Sequence, residues 1–265
     1  MLSIQDVTSP FVALAASPWI WGIWSLAVGS FISMLVYRLP LMLDAWAQGE
    51  EAELTLSSPA SHCPACKKPL AWYRNIPLLG FLISRAWPCC AVKVKPGYLG
   101  LELCALAWGV LAWWVHPADP GAVWAWSFFG WALLAGAVMD YRTQWLPDAV
   151  TLSLLWVGLL TWALRGNHGT LATQVVQVVA LYVGITVFVW CYEKLRRLEQ
   201  SIGGGDIKLL CAFAAWLDPL ALAYILAVAS ALQLVAMLAL ARKQAAFGPA
   251  LAAAAAGTVA FSWVR

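Results

Sequence analysis

Long apolar runs recur along almost the whole chain, and they restrict it to one class of fold. A helix needs roughly 20 apolar residues to cross the hydrocarbon of a bilayer. The first run covers 11–36, and we expect it to close at Arg38-Leu39-Pro40. Further runs cover 98–115, 122–139, 150–164, 173–192, 207–216, 220–240 and 247–264. With 63% hydrophobic and only 11% charged residues, the sequence predicts an all-α polytopic membrane protein rather than a chain folded around one water-facing core.

The run at 207–216 leaves two interpretations open. It is short, and only Leu217-Asp218-Pro219 separates it from the run at 220–240. The pair forms either two spans joined by a tight turn or one kinked span. The combined length is too great for one crossing, and Asp-Pro commonly opens a turn, which favours two spans. The sequence therefore predicts about eight transmembrane helices.

The polar stretch between the first two runs is long enough for a small soluble subdomain. It is rich in turn residues and holds four cysteines and three glutamates, Glu50, Glu51 and Glu53. We expect a first transmembrane helix in 1–37, a cytoplasmic subdomain in 38–97 and a transmembrane core in 98–265. The start of the chain lacks the basic region of a cleavable signal, so we expect the first run to stay in the mature protein.

Basic residues predict the orientation, because short cytoplasmic loops collect Lys and Arg. They cluster after the first span and in alternate later loops: Arg38, Lys67, Lys68, Arg74, Arg85, Lys93, Lys95, Arg142, Lys194, Arg196, Arg197, Arg242 and Lys243. This pattern places these segments in the cytoplasm and the N-terminus outside. The net charge of +3 is too small and too dispersed to indicate binding to nucleic acid.

Two aspartates at the ends of apolar runs are the candidate catalytic residues. Asp140 follows the run at 122–139, and Asp206 stands behind Gly203-Gly204-Gly205. An ionised carboxylate at the edge of hydrocarbon is costly unless it is paired, wetted or neutralised. Two predicted spans lie between the aspartates, so both fall on the cytoplasmic side. We therefore predict an acid/base pair.

Such a pair has a defined chemistry. Like charges a few ångströms apart share one proton, and the two groups titrate as a pair. The ionised carboxylate takes a proton from water as the water attacks a peptide carbonyl, while the protonated partner hydrogen-bonds the carbonyl oxygen. The three glycines would let the backbone turn sharply and approach an extended substrate. The alternative for this motif is a flexible turn with Asp206 as a helix cap.

Two charged neighbours have predicted roles of their own. We expect Asp148, which follows Pro147, to cap the next helix. Lys208 either tunes the local field or binds a lipid phosphate.

The same stretches resemble a known family. Asp140 with Leu146-Pro147-Asp148, and the segment 203–210, are similar to the two signatures of the prepilin peptidase (type IV leader peptidase) family of GxGD-type aspartyl proteases. Four further stretches resemble it in the right order: Gly29-Ser30-Phe31 with Arg38-Leu39-Pro40, the segment 72–79, Glu102-Leu103 and Phe247-Gly248-Pro249. Two positions depart from the family pattern, with Ser33 in place of the usual Asn and Arg74 in place of the usual Asp.

The resemblance implies a bifunctional enzyme of the bacterial inner membrane. Such enzymes cut the leader from type IV prepilins and type II secretion pseudopilins on the cytoplasmic side, and then methylate the new N-terminus with S-adenosylmethionine. It implies that Asp140 and Asp206 are the protease pair. The chain has no Gly-rich loop of the Rossmann type, so the methyltransferase activity and its cofactor depend on the resemblance alone.

The cysteines of the polar stretch form a candidate zinc site. Cys63 and Cys66 have the C-x₂-C spacing of a zinc knuckle. The second pair, Cys89 and Cys90, is adjacent, and Trp87 stands where the resemblance places the missing cysteine. Both can ligate only with an altered loop, or His62 replaces one ligand. The alternative is a loop of reduced, unligated thiols in the cytosol.

A second class of function competes with the peptidase. Asp140 and Asp206 are also consistent with an ion or proton relay in a transporter or channel. A relay needs further ionisable groups in mid-span, and the apolar runs offer almost none, which favours the peptidase. Glu102 has two open interpretations: it faces the active cavity or pairs with a loop cation.

Overall fold

The structure, a computed structural model, describes residues 15, 17–51, 54–63, 66, 68–83, 89–90, 96–197, 203–239 and 246–264. The described helices are α1 (Pro18–Ala47), a 3₁₀ helix (Trp72–Asn75), α2 (Leu79–Ile83), α3 (Gly97–Val115), α4 (Pro120–Thr143), α5 (Asp148–Leu164), α6 (His168–Arg196), α7 (Gly204–Ala214), α8 (Pro219–Ala239) and α9 (Gly248–Val264). Several residues used above lie outside the described part: 1–14, Glu53, Lys67, Arg85, Trp87, Lys93, Lys95, Arg242 and Lys243.

The prediction of an all-α polytopic membrane protein is confirmed. Five of the described helices are long and apolar enough to cross a membrane: α1, α3, α4, α6 and α8. The other three apolar runs also form helices, α5 and α9 with 17 residues each and α7 with 11. The outward faces are apolar, as on α6, where Phe188 is 68% exposed. A helix that is apolar on its outward face is suited to contact with lipid tails.

The segment 207–240 forms two helices, as favoured from its length. A turn after Ala214 ends α7, and the Asp218 carboxylate then accepts a hydrogen bond from the Ala221 N–H at 2.9 Å at the start of α8. The Asp-Pro pair therefore opens a turn and supplies a helix cap. With 11 residues, α7 is too short to span a bilayer alone.

The expectation that α1 closes at Arg38-Leu39-Pro40 is wrong, because the helix continues to Ala47 with Pro40 inside it. The Arg38 side chain does not reach into solvent at a helix end. It is 5% exposed, and its guanidinium donates to the carbonyl oxygens of Thr55 and Pro59, each at 2.7 Å. Carbonyl oxygens of the loop that returns over the helix accept hydrogen bonds from the guanidinium, so Arg38 can be buried within the helix and does not mark its end.

The chain forms two compact units, Met1–Ala135 and Gly136–Arg265, with the boundary inside α4. In the first unit, α3 packs along α1. The indoles of Trp21 and Trp131 are buried and donate to the carbonyl oxygens of Gly109 and Ala105, each at 3.0 Å. Buried tryptophans need such a partner for the indole N–H, and here it lies on α3.

In the second unit, α7 is the central element although it is the shortest of the apolar helices described there. Residues 209–216 are all buried, and α7 packs against α5 and α6. Directly after α7, the Trp216 indole donates to the carbonyl oxygen of Leu154 at 2.8 Å. Burial among longer helices therefore stabilises α7 more than its own length does.

Candidate active site

Asp140 lies in the last turn of α4 and is 6% exposed. Its Oδ2 accepts a hydrogen bond from the backbone N–H of Gly248 at 2.7 Å. Gly248 is the first residue of α9, where backbone N–H groups lack partners within the helix and the helix dipole favours negative charge. The start of α9 thus stabilises a carboxylate that the C-terminal end of α4 would disfavour.

Gly248 permits this contact because it has no side chain. A Cβ placed there would lie 2.5 Å from Oδ2 and 3.0 Å from Cγ of Asp140. Real Cβ atoms do not approach other atoms that closely, so any other residue would displace either the carboxylate or the start of α9. The close approach makes glycine a steric requirement of the site.

Asp206 occupies the first turn of α7, outside the five membrane-spanning helices. Its side chain is partly buried. Burial, followed by the negative charge of Asp140, raises the pKa of Asp206 to about 6. The effect of Asp140 on this pKa shows that the two carboxyl groups lie close enough to interact. The structure therefore brings together the two aspartates that the sequence singles out.

Leu146 holds the helices of the two aspartates in register. It is 4% exposed and lies between a glycine of α4 and a glycine of α7. A Cβ on Gly136 would lie 3.1 Å from Leu146 Cδ1, and a Cβ on Gly205 would lie 2.9 Å from Leu146 Cβ. Gly205 thus lets the start of α7 approach Leu146 of the same chain closely. Gly203 has φ −66° and ψ 132°, an extended conformation that any residue adopts.

The expectation that Asp148 caps α5 is wrong. Pro147 occupies the cap position, and Asp148 is the first residue of the helix. Its two carboxylate oxygens instead bind the Lys208 Nζ at 2.6 and 2.7 Å. Both side chains are partly exposed, so the ion pair contributes modestly to stability. It ties the start of α5 to α7 two residues beyond Asp206, and it occupies the lysine considered above for lipid binding.

The four cysteines of the polar stretch come together in the first unit. The thiol sulfurs of Cys63, Cys66, Cys89 and Cys90 all lie within 4.8 Å of one another. A short turn supports Cys63, whose N–H donates to the carbonyl oxygen of Lys68 at 2.9 Å. The His62 ring instead contacts the carbonyl oxygen of Ala60 at 3.1 Å. Adjacent Cys89 and Cys90 therefore both reach the cluster.

Crowding in the cluster lowers the acidity of Cys89. Hydrogen bonding with Cys66, followed by burial and contacts with the other two cysteines, raises the pKa of Cys89 to about 12. Metal ligation requires thiolates, so a cation within the cluster would reverse this effect.

Glu102, at the start of α3, belongs to the first unit. It is 9% exposed and accepts a hydrogen bond from the Leu78 N–H at 2.8 Å. It also lines a cavity in that unit. Its described hydrogen-bond partners are thus the Leu78 N–H of the loop and the Ser30 hydroxyl, both of them neutral, rather than a loop cation.

Two site residues escaped the sequence reasoning. Gly248 and Leu146 both stand within stretches that resemble the family, but the sequence predicts no role of their own for them. Neither carries a reactive group, so no chemical signal identifies it.

Two family models match the chain. The Bacterial Peptidase A24 N-terminal domain matches residues 23–116, and the Type IV leader peptidase family matches residues 127–240. The chain is 39% identical over 224 residues to a prepilin leader peptidase/N-methyltransferase of Klebsiella pneumoniae, covering 82% of this chain and 93% of the relative. It is 32% identical over 274 residues to the protein of the same name from Neisseria gonorrhoeae, covering 94% and 91%. No solved structure matches the chain.

Replacing Leu146 with alanine tests the packing between the two aspartate helices. We expect Leu146→Ala to lower the free energy of unfolding by about 2–5 kcal/mol, since the side chain is buried between two glycines that cannot fill the space. Leu160→Ala, on the exposed face of α5 at 53% exposure, should change it by less than about 1 kcal/mol. Equilibrium unfolding in mixed micelles measures both. Equal losses in the two variants would contradict the packing role.

Proposed function

Because the chain belongs to the type IV leader peptidase family, we propose that it cleaves prepilin leader peptides with Asp140 and Asp206 as the catalytic pair. The chain is a multi-pass protein of the bacterial inner membrane with prepilin peptidase and N-methyltransferase activity. The substrates are prepilins and type II secretion pseudopilins. The observation that carries the site assignment is the packing of Leu146 against both Gly136 of α4 and Gly205 of α7, the helices that hold the buried Asp140 and the partly buried Asp206. An ion relay is not favoured by these relatives.

The surroundings of the two aspartates support different roles. Asp140 accepts the Gly248 N–H at the start of α9, which stabilises its ionised form. We assign the shared proton to Asp206, because burial and the charge of Asp140 raise its pKa. Asp140 therefore takes a proton from the attacking water, and Asp206 donates its proton to the oxygen of the scissile carbonyl. When the tetrahedral intermediate collapses, the leaving amine takes the proton from Asp140, and Asp206 recovers its proton from the hydroxyl.

Loop charges support a cytoplasmic position for this pair. Arg142 lies two residues beyond Asp140, and Lys194, Arg196 and Arg197 precede the glycines before Asp206. Positive residues near the ends of spans favour the cytoplasmic side. The N-terminus then lies outside, and the polar stretch after α1 forms a cytoplasmic subdomain before the core in 98–265.

Substitution of either aspartate tests the catalytic pair. We expect Asp140→Asn and Asp206→Asn each to lower leader cleavage by at least about 10³-fold, since the amide neither accepts nor releases the proton. Both variants should remain folded and should still methylate a pilin supplied without its leader. Mass measurement of the products from purified protein and a prepilin reports both activities. Cleavage retained in either variant would remove that residue from the mechanism.

Gly248 is proposed as a positioning residue, and its substitution separates geometry from chemistry. We expect Gly248→Ala to lower kcat for cleavage by about 10²-fold with little change in KM, because the added methyl group displaces the Asp140 carboxylate. The matched control is Gly257→Ala on the same helix. Among the described residues, no atom lies within 4 Å of the position that its Cβ would occupy. Equal kcat losses in the two variants would contradict the positioning role.

The cysteine cluster fits a structural zinc ion. Tetrahedral Zn²⁺ with four thiolates at about 2.3 Å requires sulfur separations of about 3.8 Å. The sulfurs of Cys89 and Cys90 lie 3.8 Å apart, and those of Cys63 and Cys90 lie 3.4 Å apart. We propose that all four cysteines hold Zn²⁺ and that the ion fixes the 63–66 turn to the 89–90 segment. With four protein ligands the ion keeps no open position, so its role there is structural.

Metal analysis tests the zinc proposal. We expect a single Zn²⁺ per purified chain, and the Co²⁺-exchanged protein should show the intense ultraviolet absorption of thiolate-to-cobalt charge transfer. Cys63→Ser should reduce the metal content and this absorption. Cys191→Ser, an exposed cysteine of α6 outside the cluster, should leave both unchanged. A protein that retains its metal after Cys63→Ser would show that the ion is bound elsewhere.

A further inference from the structure

The first unit contains a partly open cavity of about 420 Å³, which is within the usual range for small-molecule sites. It lies between α1 and the start of α3, and residues 61–62, 70, 74–77 and 80–81 of the polar stretch also line it. Its walls include the charged residues Arg38, Arg74 and Glu102 together with aromatic residues of α1 and α3. Neither the catalytic aspartates nor the cysteine cluster belongs to its lining.

The acidic wall of the cavity is fixed by backbone contacts. Glu102 accepts the Leu78 N–H at 2.8 Å, and the Ser30 hydroxyl also hydrogen-bonds its carboxylate. Gly29 of α1 lies directly beside it, since a Cβ there would be 2.7 Å from the Glu102 Cα. These partners are neutral. They orient the carboxylate but leave its negative charge to attract a cation.

Two arginines, Arg38 and Arg74, form the basic wall of the cavity. The Arg38 guanidinium is held by the carbonyl oxygens of Thr55 and Pro59, which do not cancel its positive charge. The Arg74 guanidinium lies over the Tyr73 ring at 5.6 Å. The cavity is therefore lined by one carboxylate and two guanidinium groups, an arrangement that favours a ligand carrying charges of both signs.

We propose that this cavity binds S-adenosylmethionine, an inference that rests on the methyltransferase half of the proposed function. The amino-acid portion of that molecule carries a carboxylate, an ammonium group and a sulfonium ion. Its positive groups pair with Glu102, and its carboxylate pairs with Arg38 and Arg74. Phe31, Tyr37 and Tyr98, which also line the cavity, supply apolar surface for the adenine ring.

The chemistry of the ligand accounts for the acidic residue. When the uncharged amine of a cleaved pilin attacks the methyl carbon, the carbon–sulfur bond breaks with its electron pair on sulfur, and the methylated amine then releases a proton to water. The donor thus changes from a sulfonium cation to the neutral sulfur of S-adenosylhomocysteine. A fixed carboxylate therefore binds the donor more tightly than the product.

A lipid phosphate is the competing occupant, because two arginines also attract phosphate. The buried Glu102 carboxylate opposes it, since like charges repel at short range in a partly buried site. Glu102 is therefore the residue that distinguishes the two ligands.

Direct binding tests the proposal without relying on turnover. Equilibrium dialysis of radiolabelled S-adenosylmethionine against the full-length, metal-loaded protein in detergent gives Kd. We expect Glu102→Gln to raise Kd by about tenfold or more and to abolish the preference over S-adenosylhomocysteine. Arg74→Met should also raise Kd and gives an independent result if the Glu102 variant does not fold. The control Glu50→Gln, in an exposed part of the polar stretch, should leave Kd unchanged.

The outcomes separate this inference from the proposed proteolysis. Asp140→Asn should bind S-adenosylmethionine as the wild type does while failing to cleave a prepilin. Unchanged Kd values in both Glu102→Gln and Arg74→Met, with prepilin cleavage intact, would overturn the cavity and leave the protease assignment standing. A different result would assign the cavity to lipid. In that case Glu102→Gln would bind labelled phosphatidylglycerol more tightly than the wild type does, and its Kd for S-adenosylmethionine would be unchanged. A wild-type protein that binds the donor but does not cleave would overturn only the protease.

Discussion

The contact between the Asp140 carboxylate and the first N–H group of α9 is the constraint on which the rest of the candidate site depends. A carboxylate at the C-terminal end of α4 faces the negative end of that helix dipole and is almost fully buried. Without a donor it would hold a proton of its own, and the pair of aspartates would then lack a base. The N–H at the start of α9 stabilises the ionised form of Asp140, and the negative charge of Asp140 in turn contributes to the raised pKa of Asp206.

The short helix α7 explains how a polar pair can exist in so apolar a chain. A helix of full span would place Asp206 at the end of a long lipid-facing element, where its position would vary with the tilt of that helix. With 11 residues, α7 is instead buried by α5 and α6, and Leu146 fits against Gly205 at its start. The position of the carboxylate is therefore set by close packing within the protein rather than by the bilayer.

Apolar periodicity and charge were sufficient to predict the helices and the two aspartates, because burial in lipid requires about 20 apolar residues and penalises a carboxylate strongly. They were insufficient where a side chain has a distant partner. The sequence predicted that Arg38 ends α1, but its guanidinium donates to loop carbonyl oxygens and the helix continues. It also predicted that Asp148 caps α5, but the Asp148 carboxylate binds Lys208, which is 60 positions away in the sequence. Cys89 and Cys90 are adjacent and so lack the usual C-x₂-C spacing, yet both thiols reach the cluster. Their positions in the folded chain, and not their spacing in the sequence, decide which thiols meet.

The acidic side chains divide into two groups according to what holds them. Asp140 and Glu102 are held by backbone N–H groups, whose dipoles stabilise a negative charge without neutralising it. Asp148 is held by a lysine and so forms a closed ion pair with no charge to offer a substrate. A carboxylate that must take a proton or bind a sulfonium cation has to keep its charge, which a neighbouring lysine would oppose. Asp140 and Glu102 are thus buried acids bound by neutral donors, whereas Asp148 is an exposed acid with a cationic partner.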